Sequence, residues 1–226
     1  MSKKKSVVFV LTSHDDLDGK GTPTGTWLEE LAASYYPFEE AGWDITIASP
    51  KGGKAPIDPA SLEEPWLTET GKRFQQDATA MGLVNGSRTL GDVAAQDFDA
   101  LYMVGGAGTA WDFPDNPALG GLLAQTANGG VIGGVCHGVC GLLNPVDGKP
   151  LAEGRALTCI SDKEEELTGF DKLVPLLPET TLREAGATVT VAGPLEPHVV
   201  EGGNIVTGQN PASAGGVAEA MLRLIK

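Results

Sequence analysis

One short run constrains this chain more than any other: Val131-Ile132-Gly133-Gly134-Val135-Cys136-His137-Gly138. An apolar stretch of strand length ends in a cysteine with glycine two residues away on either side, and a segment of helical character follows. That order predicts a strand, a tight Gly-x-Cys-x-Gly corner and a helix. The glycines remove side chains that would clash where the backbone turns. Such a corner holds the thiol at the carboxyl edge of a sheet, near the positive end of the next helix, where the field favours thiolate. His137 follows at once. A small buried hydrophobe is the plainer role for a lone cysteine. The paired glycines and the strand-to-helix setting favour a nucleophile elbow.

The rest of the chain fits the same architecture. Residues 7–11 predict a buried first strand, and 15–24 a polar, Gly-rich loop. Residues 26–40 predict a helix with Trp27, Leu28, Leu31, Tyr35 and Phe38 on one face, ended by Gly42. Strands are predicted at 45–48, 101–104 and 130–135, a helix at 117–127, and further strands near 156–160, 188–191, 199–200 and 205–207. A helix is expected over 212–225. Residues 54–90, with Pro56, Pro59, Pro65 and Gly71, predict an insertion carrying short helices in a single domain of residues 1–226. Strand–helix alternation implies an α/β fold, a mostly parallel sheet with helices on both faces. Its site belongs at the carboxyl ends of the strands.

Composition excludes some partners. The 226 residues carry a net charge of −14, which leaves no basic excess for nucleic acid or an anionic membrane. The three cysteines are not spaced as a disulfide framework, so reduced thiols and a cytoplasmic setting are expected. The basic Met1-Ser2-Lys3-Lys4-Lys5 precedes only a strand-length apolar run, which is read as a strand rather than a signal peptide. No run approaches the roughly 20 apolar residues of a membrane span.

Several residues are candidates for chemistry. Gly105-Gly106-Ala107-Gly108 offers amides unshielded by large side chains, either as oxyanion donors or as a plain turn after a strand. It matches no nucleotide-binding fingerprint. Thr26 and Glu29 have capping-box spacing. Glu30, by periodicity alone, is a solvated helix residue. In Glu164-Glu165-Glu166 the charges suit a helix start, and one of them could orient His137. Cys140 and Cys159 read as buried small residues. His14 and His198 are the only other histidines, so no metal cluster is expected.

Taken together, these motifs resemble the ThiJ/PfpI superfamily, within the class I glutamine-amidotransferase-like fold. The resemblance runs over nearly the whole chain. It rests on Thr24-Gly25-Thr26-Trp27-Leu28-Glu29-Glu30-Leu31, Ala48-Ser49-Pro50-Lys51-Gly52-Gly53, the stretch from Gly105 to Asn116, Val135-Cys136-His137-Gly138, and Thr207-Gly208-Gln209-Asn210-Pro211-Ala212-Ser213-Ala214. The branch it is most similar to holds glutathione-independent glyoxalase III and related stress chaperones. The resemblance implies a flavodoxin-like three-layer sandwich and a homodimer. It places the family's nucleophile on Cys136, its histidine on His137, its thiol-contacting glutamate on Glu30 and its histidine-orienting acid on Glu165. The oxyanion-type backbone falls on Gly105, Gly106 and His137. It implies conversion of a small 2-oxoaldehyde, methylglyoxal, to lactate, with no cofactor and no metal. Other cysteine chemistry on this scaffold (deglycase, amidase or hydratase) and a non-enzymatic holding chaperone or oxidation sensor remain alternatives. Two departures from the branch stand out. Ala107 replaces its usual histidine beside the pocket, and Ser34 stands where proline is common.

Overall fold

The computed structural model describes residues 4–225. In chain order the elements are β1 (Ser6–Val10), α1 (Leu28–Glu40), β2 (Asp44–Ser49), α2 (Glu69–Gln76), α3 (Ala78–Asn85), β3 (Arg88–Thr89), α4 (Leu90–Ala94), β4 (Ala100–Met103), α5 (Thr109–Asp112), α6 (Pro117–Ala127) and β5 (Val131–Val135). A 3-10 helix (Cys136–Leu143) follows. Then come β6 (Pro145–Val146), β7 (Lys149–Pro150), β8 (Ala156–Leu157), α7 (Asp162–Thr168), α8 (Pro178–Glu184), β9 (Thr188–Val189), β10 (Val199–Gly202), β11 (Ile205–Gly208) and α9 (Ala214–Leu224). Seven strands form one sheet in the order β10-β11-β5-β4-β1-β2-β3. All its neighbours are parallel except β10 and β11. This is the α/β layered sheet expected from the sequence.

The strand period of two builds both layers of the core. In and just after β1, Val7, Phe9 and Leu11 pack with Leu28, Leu31, Tyr35 and Phe38 of α1 and with Val217 and Met221 of α9. Val8 and Val10 point the other way, into a second cluster with Leu119, Leu122 and Leu123 of α6. Both faces being covered explains why β1 reads as a continuous apolar run. Among the described residues, no helix is long and apolar enough to cross a membrane.

Topology then positions the site. The chain steps outward from β1 to β2 and β3, and returns to β4 on the other side of β1. Such a switch point opens a crevice at the carboxyl edge. The start of α1 and the loop after β4 flank it, joined by a hydrogen bond from the Trp27 amide to the Gly105 carbonyl.

Two local expectations are corrected. Helix α1 begins at Leu28, not Thr26, and Trp27 provides no side-chain cap. Thr26 and Glu29 form no capping box. The Thr26 backbone is instead paired with residues 56–58, and Ser61 Oγ accepts from the Leu28 amide at 3.1 Å. Thus the segment 54–90 supplies the cap from outside the helix. The segment after Cys136 is a 3-10 helix rather than an α-helix. The strand signal at 156–160 shortens to Ala156–Leu157, and that at 188–191 to Thr188–Val189.

Candidate active site

Cys136 occupies the corner after β5 with φ of 55°, a left-handed conformation that non-glycine residues seldom adopt. The bend lets residue 138 run against β4. A Cβ on Gly138 would stand 2.6 Å from the Met103 carbonyl oxygen, so this glycine is required by packing. Gly105 is constrained in a similar way, since a side chain there would strike the Glu30 carboxylate and the Cys136 Cβ. The thiol, the first turn of α1 and the loop after β4 therefore converge on one point.

Three of the four candidate side chains lie around Cys136. His137 Nδ1 is 3.3 Å from Cys136 Sγ. On the far side of the ring, Nε2 is 2.6 Å from Glu165 Oε1, a contact buried on both sides. The pair is close but lacks the alignment of a well-formed hydrogen bond; a proton carried on Nε2 toward Glu165 leaves Nδ1 as an acceptor facing sulfur. Burial works against the imidazolium, but the Glu165 carboxylate outweighs it and the histidine is raised above its ordinary value. Glu30 is fully buried, and neither carboxyl oxygen has a hydrogen bond of good geometry. Burial pushes it up to about 7, opposed by the nearby Cys136 thiol, His137 and the Gly105 amide.

The three adjacent glutamates separate clearly. Glu164 closes a true capping box with Ser161 at the start of α7. Its Oε1 accepts from the Leu195 amide and Asn210 Nδ2, both at 2.9 Å. Its Oε2 accepts from Ser161 and from Gln209 Nε2. Burial would raise this carboxyl, but the bonds from Asn210 and Ser161 together hold it below its ordinary value. Glu165 meets His137. Glu166 pairs with Lys163 at the surface. Glu29 accepts from the Thr68 hydroxyl, away from the thiol.

The thiolate expectation is corrected by this geometry. A 3-10 helix replaces the α-helix whose field was invoked, and the thiol is only 5% exposed. Burial first, then the facing Glu30 and Glu165 carboxylates, push the Cys136 thiol well up. Cys140 and Cys159 are fully buried, as expected.

The loop after β4 divides its backbone groups. The Gly105 amide faces Glu30. The Gly106 amide has no acceptor among the described residues and lines the cavity, which leaves it free for an oxyanion. The His137 amide faces Cys136 sulfur. A cavity of about 70 Å³ opens over the thiol. Ala107 forms part of its wall, together with Trp27, Trp66, Phe170 and Leu195. The lining residues Trp66, Phe170 and Leu195 escaped the sequence reading, and Asn210 entered it only as part of a family motif. Among the described residues, no group of three His, Cys, Asp or Glu could hold a metal ion.

The chain is similar to known proteins over nearly its whole length. The chain is 29% identical over 235 residues to the glutathione-independent glyoxalase HSP31 of Saccharomyces cerevisiae, with 98% of each covered. It is similar in structure to the Rapid Encystment Protein 24 KDa of Francisella tularensis, with TM-score 0.92 and 35% identity over 98% of this chain and 99% of that one. Glyoxalase III from Candida albicans superposes with TM-score 0.85 at 26% identity, over 98% of both. The DJ-1/PfpI family model matches residues 23–224, and the chain, with its cysteine at a strained corner between two buried carboxyls, belongs to that family.

Proposed function

We propose that this protein is a glutathione-independent glyoxalase that converts methylglyoxal and water to lactate. The observation that carries the proposal is Cys136 at the base of a small cavity, with Glu30 on one side and the His137–Glu165 pair on the other. The names of the yeast relatives support the same reaction.

The chemistry follows from the positions. As Cys136 sulfur bonds to the aldehyde carbon, the thiol proton passes to His137 Nδ1. The Glu165 carboxylate stabilises the resulting imidazolium, as an acid does in a triad. The aldehyde oxygen gains negative charge beside the Gly106 and His137 amides, and takes the proton from His137 to give a hemithioacetal. Glu30 then takes the proton from C1 and returns it at C2 through an enediol, while His137 carries the hemithioacetal hydroxyl proton to the C2 oxygen, so that the C1 oxygen becomes the thioester carbonyl. A carboxyl raised to about 7 is matched to that task near neutral pH. The product of this shift is a thioester on Cys136. Water, activated by His137, hydrolyses it to lactate and restores the thiol. A homodimer, a cytoplasmic setting and a single domain with 54–90 as an insertion go with this reading as family expectations.

The test is methylglyoxal consumption without glutathione, with lactate measured in parallel. Lactate equal to methylglyoxal lost, abolished by Cys136→Ala, is the expected result. Loss of methylglyoxal without lactate would point to adduct formation on the protein and reject the proposal.

A further inference from the structure

The cavity is built in two halves. Its base carries the reacting groups Cys136, His137 and Glu30. Its mouth is apolar: Trp27, Trp66, Phe170 and Leu195. Trp27 and Trp66 meet edge to face, with ring centroids 5.8 Å apart. Trp66 comes from the segment 54–90 and is 36% exposed. A large indole left in water at a cavity rim is an unused apolar surface.

Three polar side chains along the wall, Glu164, Asn210 and Thr168, are already committed. Both Glu164 oxygens accept from protein donors. Asn210 Nδ2 donates to Glu164 and to the Glu196 carbonyl, and its Oδ1 accepts from Ser213. Thr168 Oγ1 is turned back on the Glu164 and Glu165 carbonyls. A hydroxylated substituent entering here would surrender its bonds to water, while the unpaired Trp27 Nε1–H is covered by its surroundings and the Gly106 amide lies with the reacting end. Among the described residues, no lysine or arginine lines the cavity, while Glu164 adds negative charge to it. An anionic substituent is disfavoured on both counts.

Building on the glyoxalase reading, we infer that the site selects 2-oxoaldehydes with a neutral, apolar, ring-sized substituent on the ketone carbon. Trp66 is the residue that sets this preference. The aldehyde end reaches Cys136, and the substituent lies against the two indoles at the mouth. Trp66 has no titratable or nucleophilic group and comes from the segment 54–90 rather than from the turns that carry Cys136, His137 and Glu30, so it acts on specificity and not on the bond-making steps.

The experiment compares kcat/KM for methylglyoxal, hydroxypyruvaldehyde and phenylglyoxal in the wild-type chain, Trp66→Ala and Trp66→Phe. Phenylglyoxal should lead methylglyoxal by ~10-fold, and hydroxypyruvaldehyde should not exceed methylglyoxal. Trp66→Ala should remove most of the phenylglyoxal advantage and change methylglyoxal by less than ~3-fold, with Trp66→Phe restoring much of it. Equal rates on the three substrates, or an equal loss on all of them in Trp66→Ala, would overturn the inference. Turnover of none of the three defeats the glyoxalase reading instead. In that event the mouth is tested by protection of Cys136 from iodoacetamide with benzaldehyde and acetaldehyde, which add to a thiol but cannot isomerise. Stronger protection by benzaldehyde, lost in Trp66→Ala, supports the apolar mouth, and equal protection by the two aldehydes overturns it.

Discussion

Helices α1 and α7 both open with adjacent glutamates, and the two openings behave in opposite ways. In α7 the first glutamate, Glu164, is saturated by donors from Ser161, Leu195, Gln209 and Asn210 and is held ionised. In α1 the cap comes from Ser61, and the buried Glu30 has no well-formed hydrogen bond and is pushed up to about 7. The same residue type, in the same helical turn and close to the same dipole, becomes a fixed anchor in one place and a buried carboxyl raised to about 7 in the other. A dipole preference is worth only ~0.3–1 kcal/mol at the surface, so the surrounding donors and burial decide the outcome. In each helix a neighbouring glutamate does the complementary work. Glu165 meets the histidine, and Glu29 is tied to Thr68.

The largest effect expected from this contrast is at Glu30. Glu30→Gln should lower kcat on methylglyoxal by ~10²-fold or more, because an amide cannot carry the proton. Glu29→Gln should stay within a few-fold of wild type. Equal activities in the two variants would erase the distinction. Stability should move the other way. A carboxyl raised to about 7 in the fold costs nothing below its unfolded value and destabilises as pH rises through 7. A shift of that size corresponds to about 3 kcal/mol at most. Glu30→Gln should therefore melt above wild type at pH 8.5, with the gap closing by pH 5. A gap independent of pH would show that Glu30 is not the group responsible.

In α7 the roles divide between activity and stability. Glu165→Gln removes the charge that holds the His137 imidazolium, so kcat should fall by ~10-fold or more while the fold persists. Glu164→Gln should retain more activity but lose about 2 kcal/mol of stability, since several donors lose a charged acceptor. Glu164 is held below its ordinary value, so its contribution is present above the unfolded value and is lost as pH falls through the folded one. Thermal melts at pH 7 and pH 3.5 read this directly. The wild-type advantage over Glu164→Gln should be largest at pH 7. A larger advantage at pH 3.5 would reverse the assignment.

The thiol between the two helices provides a smaller test. Cys136 is 5% exposed and opens on the cavity, while Cys140 and Cys159 are fully buried. Iodoacetamide should therefore label Cys136 ~10-fold ahead of the others. Because burial and the two carboxylates push its thiol up, labelling should rise only above pH ~8.5, the reference value for a free thiol. A half-point below pH 7 would mean that a protonated Glu30 donates to the thiolate strongly enough to outweigh burial.

The parts of this molecule legible in the sequence are those fixed by local pattern. Helix α6 has the bounds expected from the sequence, 117–127; in the structure Asn116 caps it and Pro117 begins it. The elbow was legible from Gly138 and the apolar run before it. What escaped was set by contacts distant in sequence. Thr26 lost its capping role because its backbone pairs with residues 56–58. Glu30 looks solvated by helical period, yet it is buried because the loop after β4 covers that turn. The donors that saturate Glu164 lie as many as 46 residues away, and no local spacing announces them. The glutamate assignments at Glu30 and Glu165 came from family resemblance. Contact geometry places both carboxyls about the Cys136–His137 pair, and burial with those carboxylates runs against the thiolate expectation drawn from the field of an α-helix.

The smallest expected effect lies opposite both helices, at Ala107. This residue is buried in the cavity wall, and its carbonyl accepts from the Ala110 amide, so its backbone position is fixed. Replacing the branch's usual histidine by a methyl group removes one donor and opens space on that side of the thiol. Ala107→His should restore the donor and take up the space. Methylglyoxal, small and with two oxygens to orient, gains from the first change and loses little from the second. Phenylglyoxal gains no more from the donor and loses room for its ring. The ratio of kcat/KM for methylglyoxal over phenylglyoxal should therefore rise by about 3-fold to 10-fold, a range typical of small changes in pocket volume. If the ratio stays at its wild-type value, residue 107 is a bystander, and the selectivity of the site rests on the mouth alone.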